Sequence, residues 1–355
     1  MARSRISDWK NITVNEKSPF SDAINILSKG GYQLCLVIDK RNILKGIITD
    51  SDIRKGLIRG LSLECSITEI MNEKPLVVSS HLSDEEAQNT MRLNHIFHLP
   101  IVDSNGILVG LHVANFLYTT TERPEVMVIM AGGKGKRLLP LTENIPKPML
   151  PIKGKPILEH IINRSKLDGF KKIFISVNYL SEIIERHFGN GERFGVSIEY
   201  LRENKPLGTA GALKQLPKKY LDRNIVVTNG DVITNASYSD FLSASISQKC
   251  HGLMAVLTQT WNNPFAVVET EGSKIISLKE KPIIRSKINA GIYVLSPKMI
   301  DLIRENEYCD MPDLFINGLK NKLELRVYPL HESWIDIGRP EDYHYLCEKE
   351  VLTDE

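Results

Sequence analysis

Residues 131 to 152 read AGGKGKRLLPLTENIPKPMLPI, and the rest of the chain is best understood outward from this stretch. Gly132, Gly133 and Gly135 fall within four positions, where bare glycine lets the backbone approach a ligand and lets N–H groups converge on one anion-binding concavity. Lys134, Lys136 and Arg137 add positive charge to the loop. The spacing is not GxxxxGK followed by Ser or Thr, and Leu138 stands where a dinucleotide fingerprint needs its third glycine. Alone, the loop could be a tight turn. Pro146 and Pro148, however, fix the backbone on both sides of Lys147 and hold it on a stiff support.

The loop follows the apolar run VMVIM (Val126 to Met130) and precedes a helical pattern over Ile157 to Leu167. KIFISV (Lys172 to Val177), a helix over Ser181 to Phe188 and VSIEYL (Val196 to Leu201) continue the alternation. Strands separated by such helices predict an α/β domain, a Rossmann-like, mainly parallel mixed sheet with helices on both faces. Ligands of such sheets bind outside the carboxyl ends of the strands, where the glycine loop begins.

Before residue 126 the chain repeats itself at an offset of 64 residues. Ile12-Thr13-Val14, a helical pattern through Ala23 and Leu27, LCLVID (Leu34 to Asp39) and LKGIITDSDI (Leu44 to Ile53) form the first copy. Leu76-Val77-Val78, Ala87 and Met91, HLPIVD (His98 to Asp103) and LVGLHVANFL (Leu108 to Leu117) form the second. Each copy predicts strand, helix, strand, turn, strand, helix, and two stacked α+β halves cover faces that one alone leaves exposed. The repeats span about 1–64 and 65–118, TTTERPE (119–125) reads as a polar linker, and the alternating domain takes 126–355.

The 355 residues suffice for two cores, and 42% hydrophobic with 25% charged residues is a soluble globular composition. No apolar run reaches a membrane span, and MARSRISDWK has no signal-peptide core, so a cytoplasmic protein with no membrane partner is expected. A net charge of +2 gives no footprint for nucleic acid. Cys35, Cys65, Cys250, Cys309 and Cys347 form no CxxC pair and read as packing residues; His160, His187 and His251 read as structural.

GGKGKRLLPLT with PKPMLPI resembles the signature of the sugar-phosphate nucleotidyltransferases, the NTP_transferase family. The likeness runs from Val126 to near the C-terminus. KPLGTAGAL (Lys205 to Leu213) resembles the family's base-contacting loop, TNGD (Thr228 to Asp231) its metal-binding strand end, and KEKP (Lys279 to Pro282) with NAGIYVLS (Asn289 to Ser296) its sugar pocket. WIDIGRPEDY (Trp334 to Tyr343) is similar to the motif with the second metal-binding aspartate.

The resemblance implies that an oxygen of a sugar 1-phosphate attacks the α-phosphorus of a nucleoside triphosphate and pyrophosphate leaves. Two polyanions must then be brought together and the leaving charge stabilised. It implies Asp231 and Asp336 as Mg²⁺ ligands. Arg137 is implied for the β and γ phosphates, with Ala131, Gly132, Gly133, Gly135, Lys136, Gly208 and Thr209 around the nucleotide. Lys147 and Lys281 are implied for the sugar phosphate, and Glu280, Asn289 and Gly291 for the sugar. A phosphate dianion is already a competent nucleophile, so no general base is called for. Ala266 departs from the glycine of many relatives and leaves the sugar open.

LGTAGAL is most similar to enzymes using GTP, such as mannose 1-phosphate guanylyltransferases. The domain order resembles the glucosamine 1-phosphate guanylyltransferases that serve bacterial nonulosonic acid synthesis. Uridylyl or thymidylyl transfer to glucose 1-phosphate, and nucleotide sensing without turnover, are the alternatives. The repeat, with GIITDSDI (Gly46 to Ile53), resembles a pair of cystathionine β-synthase (CBS) domains, which implies an adenine nucleotide as a further partner. Thr49 is implied for its phosphate and Asp52 for its ribose, whereas Val113 and Phe116 stand at the equivalent places in the second copy. Thr49 and Asp52 could instead cap a helix starting near Ile53, and the pair could be a dimerisation module of a homo-oligomer.

Overall fold

The computed structural model describes residues 5–6, 9–29, 33–94, 96–114 and 123–348, and the chain divides into two compact units, Met1–Thr119 and Thr120–Glu355. The first unit holds β1 (Arg5–Ile6), β2 (Thr13–Asn15), α1 (Phe20–Lys29), β3 (Leu34–Ile38), β4 (Leu44–Thr49) and α2 (Asp50–Ile58). β5 (Val78–Ser79), α3 (Asp84–Leu93), β6 (His98–Val102) and β7 (Leu108–Val113) follow. The set α1, β3, β4 recurs as α3, β6, β7 at an offset of 64 residues, from Phe20 to Asp84, Leu34 to His98 and Leu44 to Leu108.

Irregularities repeat too: the ladder slips between Val37 and Ile38, and again between Ile101 and Val102. Asp39 Oδ1 accepts the amides of Arg41 and Ile43, and Asp103 Oδ1 those of Asn105 and Ile107, so the same side chain closes the same turn twice. The two turns then bond each other reciprocally. Leu44 N donates to Gly106 O (3.1 Å) and Leu108 N to Asn42 O (2.9 Å), the pattern of a pseudo-twofold axis. Leu34, Leu36, Leu108 and Leu111 share one apolar cluster, so each half completes the other's core. Phe116 and the helix expected after β7 lie outside the described residues.

The second unit begins with β8 (Val126–Met130), the short hairpin β9 (Pro151–Ile152) and β10 (Lys155–Pro156), α4 (Ile157–Leu167), β11 (Lys172–Val177), α5 (Ser181–Phe188) and β12 (Ser197–Arg202). It continues through α6 (Gly208–Gly211), β13 (Ile225–Asn229), β14 (Val232–Thr234), α7 (Tyr238–Ser247), β15 (Gly252–Asn262), β16 (Val267–Glu271) and β17 (Lys274–Lys279). β18 (Ile283–Leu295), α8 (Pro297–Asp301), α9 (Met311–Lys320), β19 (Leu325–Pro329), β20 (Trp334–Asp336) and α10 (Pro340–Glu348) complete it. Seven strands form one sheet in the order β12-β11-β8-β13-β18-β15-β19, and β12, β11, β8 and β13 are parallel. β18 runs antiparallel to both β13 and β15, which makes the sheet mixed. Val126 and Val128 of β8 pack into one core and Met127 and Ile129 into the other, which is why this central strand is apolar at successive positions.

The expected linker is not free throughout. Arg123 Nε donates to Asp168 O (3.1 Å), and Arg223 donates to Pro124 O (2.9 Å), so both residues belong to the second unit. Cys35 and Cys250 are buried as expected, and burial pushes the Cys35 thiol up to about 12; Cys347, on α10, is exposed instead. His160 bonds the Ile152 carbonyl and His251 accepts the Glu324 amide, both structural uses. Beyond the sheet, β15 and β18 run on as a two-stranded ribbon to Asn262 opposite Ile283, and β16 and β17 pair as a hairpin in the connection between them. Trp261, Phe265, Ile275, Ile276, Leu278 and Ile283 are exposed there. Among the described residues no helix is long and apolar enough to cross a membrane.

Candidate active site

The glycine loop and Asp231 leave the sheet side by side, because Met130 and Asn229 are register partners at the carboxyl ends of the parallel strands β8 and β13. Gly230 N donates to Met130 O (2.9 Å) and turns the chain so that Asp231 stands beside the loop. β14 then pairs antiparallel with β20, placing Val232 opposite Asp336, and Ile337 N donates to Asp231 O (3.1 Å). The prolines around Lys147 set a short 3-10 turn over Lys147–Met149 that buries this lysine to 8% exposure. Its ammonium is hydrogen-bonded to Asp231 Oδ2 and lies 4.0 Å from Asp336 Oδ1. Arg137 reaches the same place, since a Cβ at Gly338 would lie 3.5 Å from Arg137 Nη1 and 3.7 Å from Asp336 Oδ2.

Two carboxylates and two cations therefore converge at the carboxyl edge of the sheet. Burial, and then the charge of Asp231, push the Asp336 carboxyl above its ordinary range, against the pull of Lys147 and Arg137. Asp231 Oδ1 and Asp336 Oδ1 are buried without a hydrogen-bond partner. Hard carboxylate oxygens left over in this way fit a magnesium ion, which takes one or two carboxylates and fills its shell with phosphate oxygens and water.

Within the loop, Gly135 has φ +61°, and a Cβ there would meet Thr142 at 3.0 Å and the Lys147 Cβ at 3.1 Å. Glycine at this point lets the loop close on the lysine stem. Gly133 faces open space, and Lys136 and Arg137 are exposed. Ala131, expected at the nucleotide, is buried and donates its amide to Ser176 O, so its N–H is committed to the sheet. A Cβ at Gly132 would lie 3.0 Å from Glu203 Oε1.

Glu203 was not singled out by its motif, yet it joins the two loops of the site. Oε1 accepts the Ser176 hydroxyl beside the glycine loop, and Oε2 accepts the Leu207 amide (2.8 Å) at the start of LGTAG. Its position five residues before Gly208 was the available signal. Thr209, also expected at the nucleotide, has its hydroxyl engaged elsewhere: it accepts from Met311 N (2.8 Å) and lies 3.3 Å from Asp310 Oδ1.

Of the sugar residues, Asn289 and Gly291 are at the site. Gly291 abuts Asn229, whose Nδ2 would be 2.7 Å from a Cβ there, and Asn289 donates to the Tyr293 hydroxyl (2.8 Å). Glu280 and Lys281 lie in an exposed bend before Ile283, six strand residues along β18 from Asn289. Ala266 lies in the same outer segment.

In the first unit, α2 begins at Asp50 and not near Ile53. Thr49 and Asp52 are brought together as a capping box, with Thr49 N and Oγ1 donating to Asp52 Oδ2 at 3.0 and 2.7 Å. Val113 ends β7 at the place matching Thr49.

Residues 126–351 match the nucleotidyl transferase family, and residues 5–59 and 67–111 match the CBS domain. The chain belongs to the nucleotidyl transferase family, with two CBS repeats ahead of the family domain. A UTP–glucose-1-phosphate uridylyltransferase from Synechocystis sp. is 32% identical over 237 residues, which cover 61% of this chain and 61% of that protein. The D-glycero-α-D-manno-heptose 1-phosphate guanylyltransferase of Aneurinibacillus thermoaerophilus is 32% identical over 219 residues, 61% of this chain and 94% of the relative. The chain thus spans about three-fifths of the length of the first relative. Among solved structures, HddC from Yersinia pseudotuberculosis complexed with GMP-PN matches with TM-score 0.51 and 27% identity over 63% of this chain and 98% of that one.

Proposed function

We propose that the protein transfers a nucleoside monophosphate from a nucleoside triphosphate, GTP by preference, to glucosamine 1-phosphate or a related hexose 1-phosphate. The meeting of Arg137, Lys147, Asp231 and Asp336 beside the glycine loop carries this reading. A sugar phosphate oxygen bonds to the α-phosphorus while the bond from that phosphorus to the β-phosphate bridge breaks, and the electron pair leaves with pyrophosphate. Asp231 and Asp336 would hold Mg²⁺, which would supply positive charge to offset that of the phosphates. Arg137, exposed at the loop, bears on the departing phosphates. Lys147 is buried and cannot wander, so its charge fixes where the attacking phosphate sits.

Glu203 bears on the base, since each of its oxygens accepts one protein donor, from Ser176 or Leu207, and keeps a lone pair for a ligand. Guanine offers N1–H and the N2 amino group as adjacent donors, which one carboxylate accepts together, whereas uracil and thymine flank their single ring N–H with carbonyl oxygens. Glu203→Gln keeps an acceptor for the Leu207 amide and should lower the preference for GTP over UTP about tenfold. An unchanged preference would contradict guanine selection by this residue, and a uridylyl or thymidylyl enzyme would show itself in the same assay. For the CBS repeats, the proposed adenine nucleotide would rest on Asp52, in an open cleft of about 470 Å³ lined also by Lys55, Ile58, Arg59, Glu69 and Ile70, which Thr49 does not line.

A further inference from the structure

Asp310 occupies the N-cap position of α9, where aspartate ordinarily accepts an amide of its own helix, yet its side chain makes no cap bond. Instead Asp310 Oδ1 accepts the amide of Thr209 (3.0 Å), and the Thr209 hydroxyl accepts the first amide of α9, from Met311 (2.8 Å). The two segments, 101 positions apart, thus cap one another. Cys309 extends the exchange: its carbonyl accepts the amides of Ala210 and Gly211, and its amide donates to Leu207 O. With Leu207 N held by Glu203, four of the five amides of Leu207–Gly211 are committed to protein partners. The glycines answer the same contact, since a Cβ at Gly208 would lie 2.6 Å from Cys309 O and one at Gly211 2.7 Å from Glu307 O.

From this geometry we propose that the segment Glu307–Met311 is the template on which the nucleotide loop is shaped, and that Asp310 is its positioning residue. The assignment rests on the reading of Leu207–Gly211 as part of the nucleotide subsite. Asp310 touches no reacting atom; it fixes the loop through Thr209. A loop whose amides are spent inward meets a nucleotide already shaped, and loosening it should weaken the triphosphate and leave the sugar phosphate alone.

The test uses the full chain with Asp310→Ala and Asp310→Asn, the second keeping an oxygen for the Thr209 amide. Hydrogen exchange of a peptide covering Leu207–Gly211 should quicken at least tenfold in Asp310→Ala and return within about threefold of wild type in Asp310→Asn, as loss of a charge-assisted bond implies. Titration with a fluorescent GTP analogue should weaken about tenfold in Asp310→Ala, with the sugar phosphate KM within about twofold. Unchanged exchange, or equal losses for both substrates, would overturn the proposal. A wild type that binds no triphosphate would sink the functional reading, while the exchange rates would still report whether Asp310 holds the loop.

Discussion

Asp231 and Asp336 meet at the end of one two-stranded ladder, where Val232 faces Asp336 and the Ile337 amide bonds to the Asp231 carbonyl at 3.1 Å. Lys147 lies against both carboxylates, but it is bonded to Asp231 and only near Asp336. The pair is therefore unequal: Asp231 is matched by a buried cation, whereas the surroundings of Asp336 raise its pKa and so disfavour its charge.

That inequality separates two variants alike in activity. Asp231→Asn and Asp336→Asn should each cut kcat at least about a hundredfold, since each removes a proposed magnesium ligand. Asp231→Asn should also cost about 1–3 kcal/mol of stability, because it leaves the buried Lys147 ammonium with a neutral partner and only the 4.0 Å contact to Asp336 for charge. Asp336→Asn removes a disfavoured charge and should melt no lower than wild type. Side-by-side thermal melts decide this, and equal losses in Tm would contradict the account.

Arg137→Ala should lower kcat about tenfold to a hundredfold and leave the KM for the sugar phosphate within about twofold, if the guanidinium acts on the departing pyrophosphate as proposed. Initial rates across both substrates measure it. An effect confined to the sugar phosphate KM would place Arg137 in the other subsite.

Fragments of the family domain should differ by where they start. A chain beginning at Thr120 keeps the bonds of Arg123 and Pro124 to the second unit, and is expected to be soluble and active. One beginning at Val126 loses them and should be less stable by about 1–3 kcal/mol. Urea denaturation of both fragments checks this; identical midpoints would show that the two residues are dispensable.

In the CBS repeats, calorimetric titration of AMP, ADP, ATP and S-adenosylmethionine should find at most one site per chain, lost in Asp52→Ala. Because Asp52 also completes the capping box of α2, the variant should lose roughly 1 kcal/mol as well. Two equivalent sites per chain would refute the single-site reading.

What sequence made legible was what depends on neighbours. The 64-residue repeat is carried by local patterns, down to an aspartate closing each turn, and VMVIM is apolar throughout because both faces of β8 are covered. Lys147 could be read between its prolines. The exchange between Thr209 and Asp310 could not, since nothing local links residues 101 positions apart. Nor does the KEKP motif say that the β15–β18 ladder runs as far as Ile283 before the chain turns.

The central claim is tested most directly by pyrophosphate release from the full chain given GTP and glucosamine 1-phosphate, with and without magnesium, beside Asp231→Asn. The account predicts pyrophosphate and a guanosine diphosphate sugar in equal amounts, abolished by chelation of the metal and nearly absent in the variant. No pyrophosphate from any pairing of GTP, UTP or dTTP with a panel of hexose 1-phosphates, or equal release by Asp231→Asn, would contradict it.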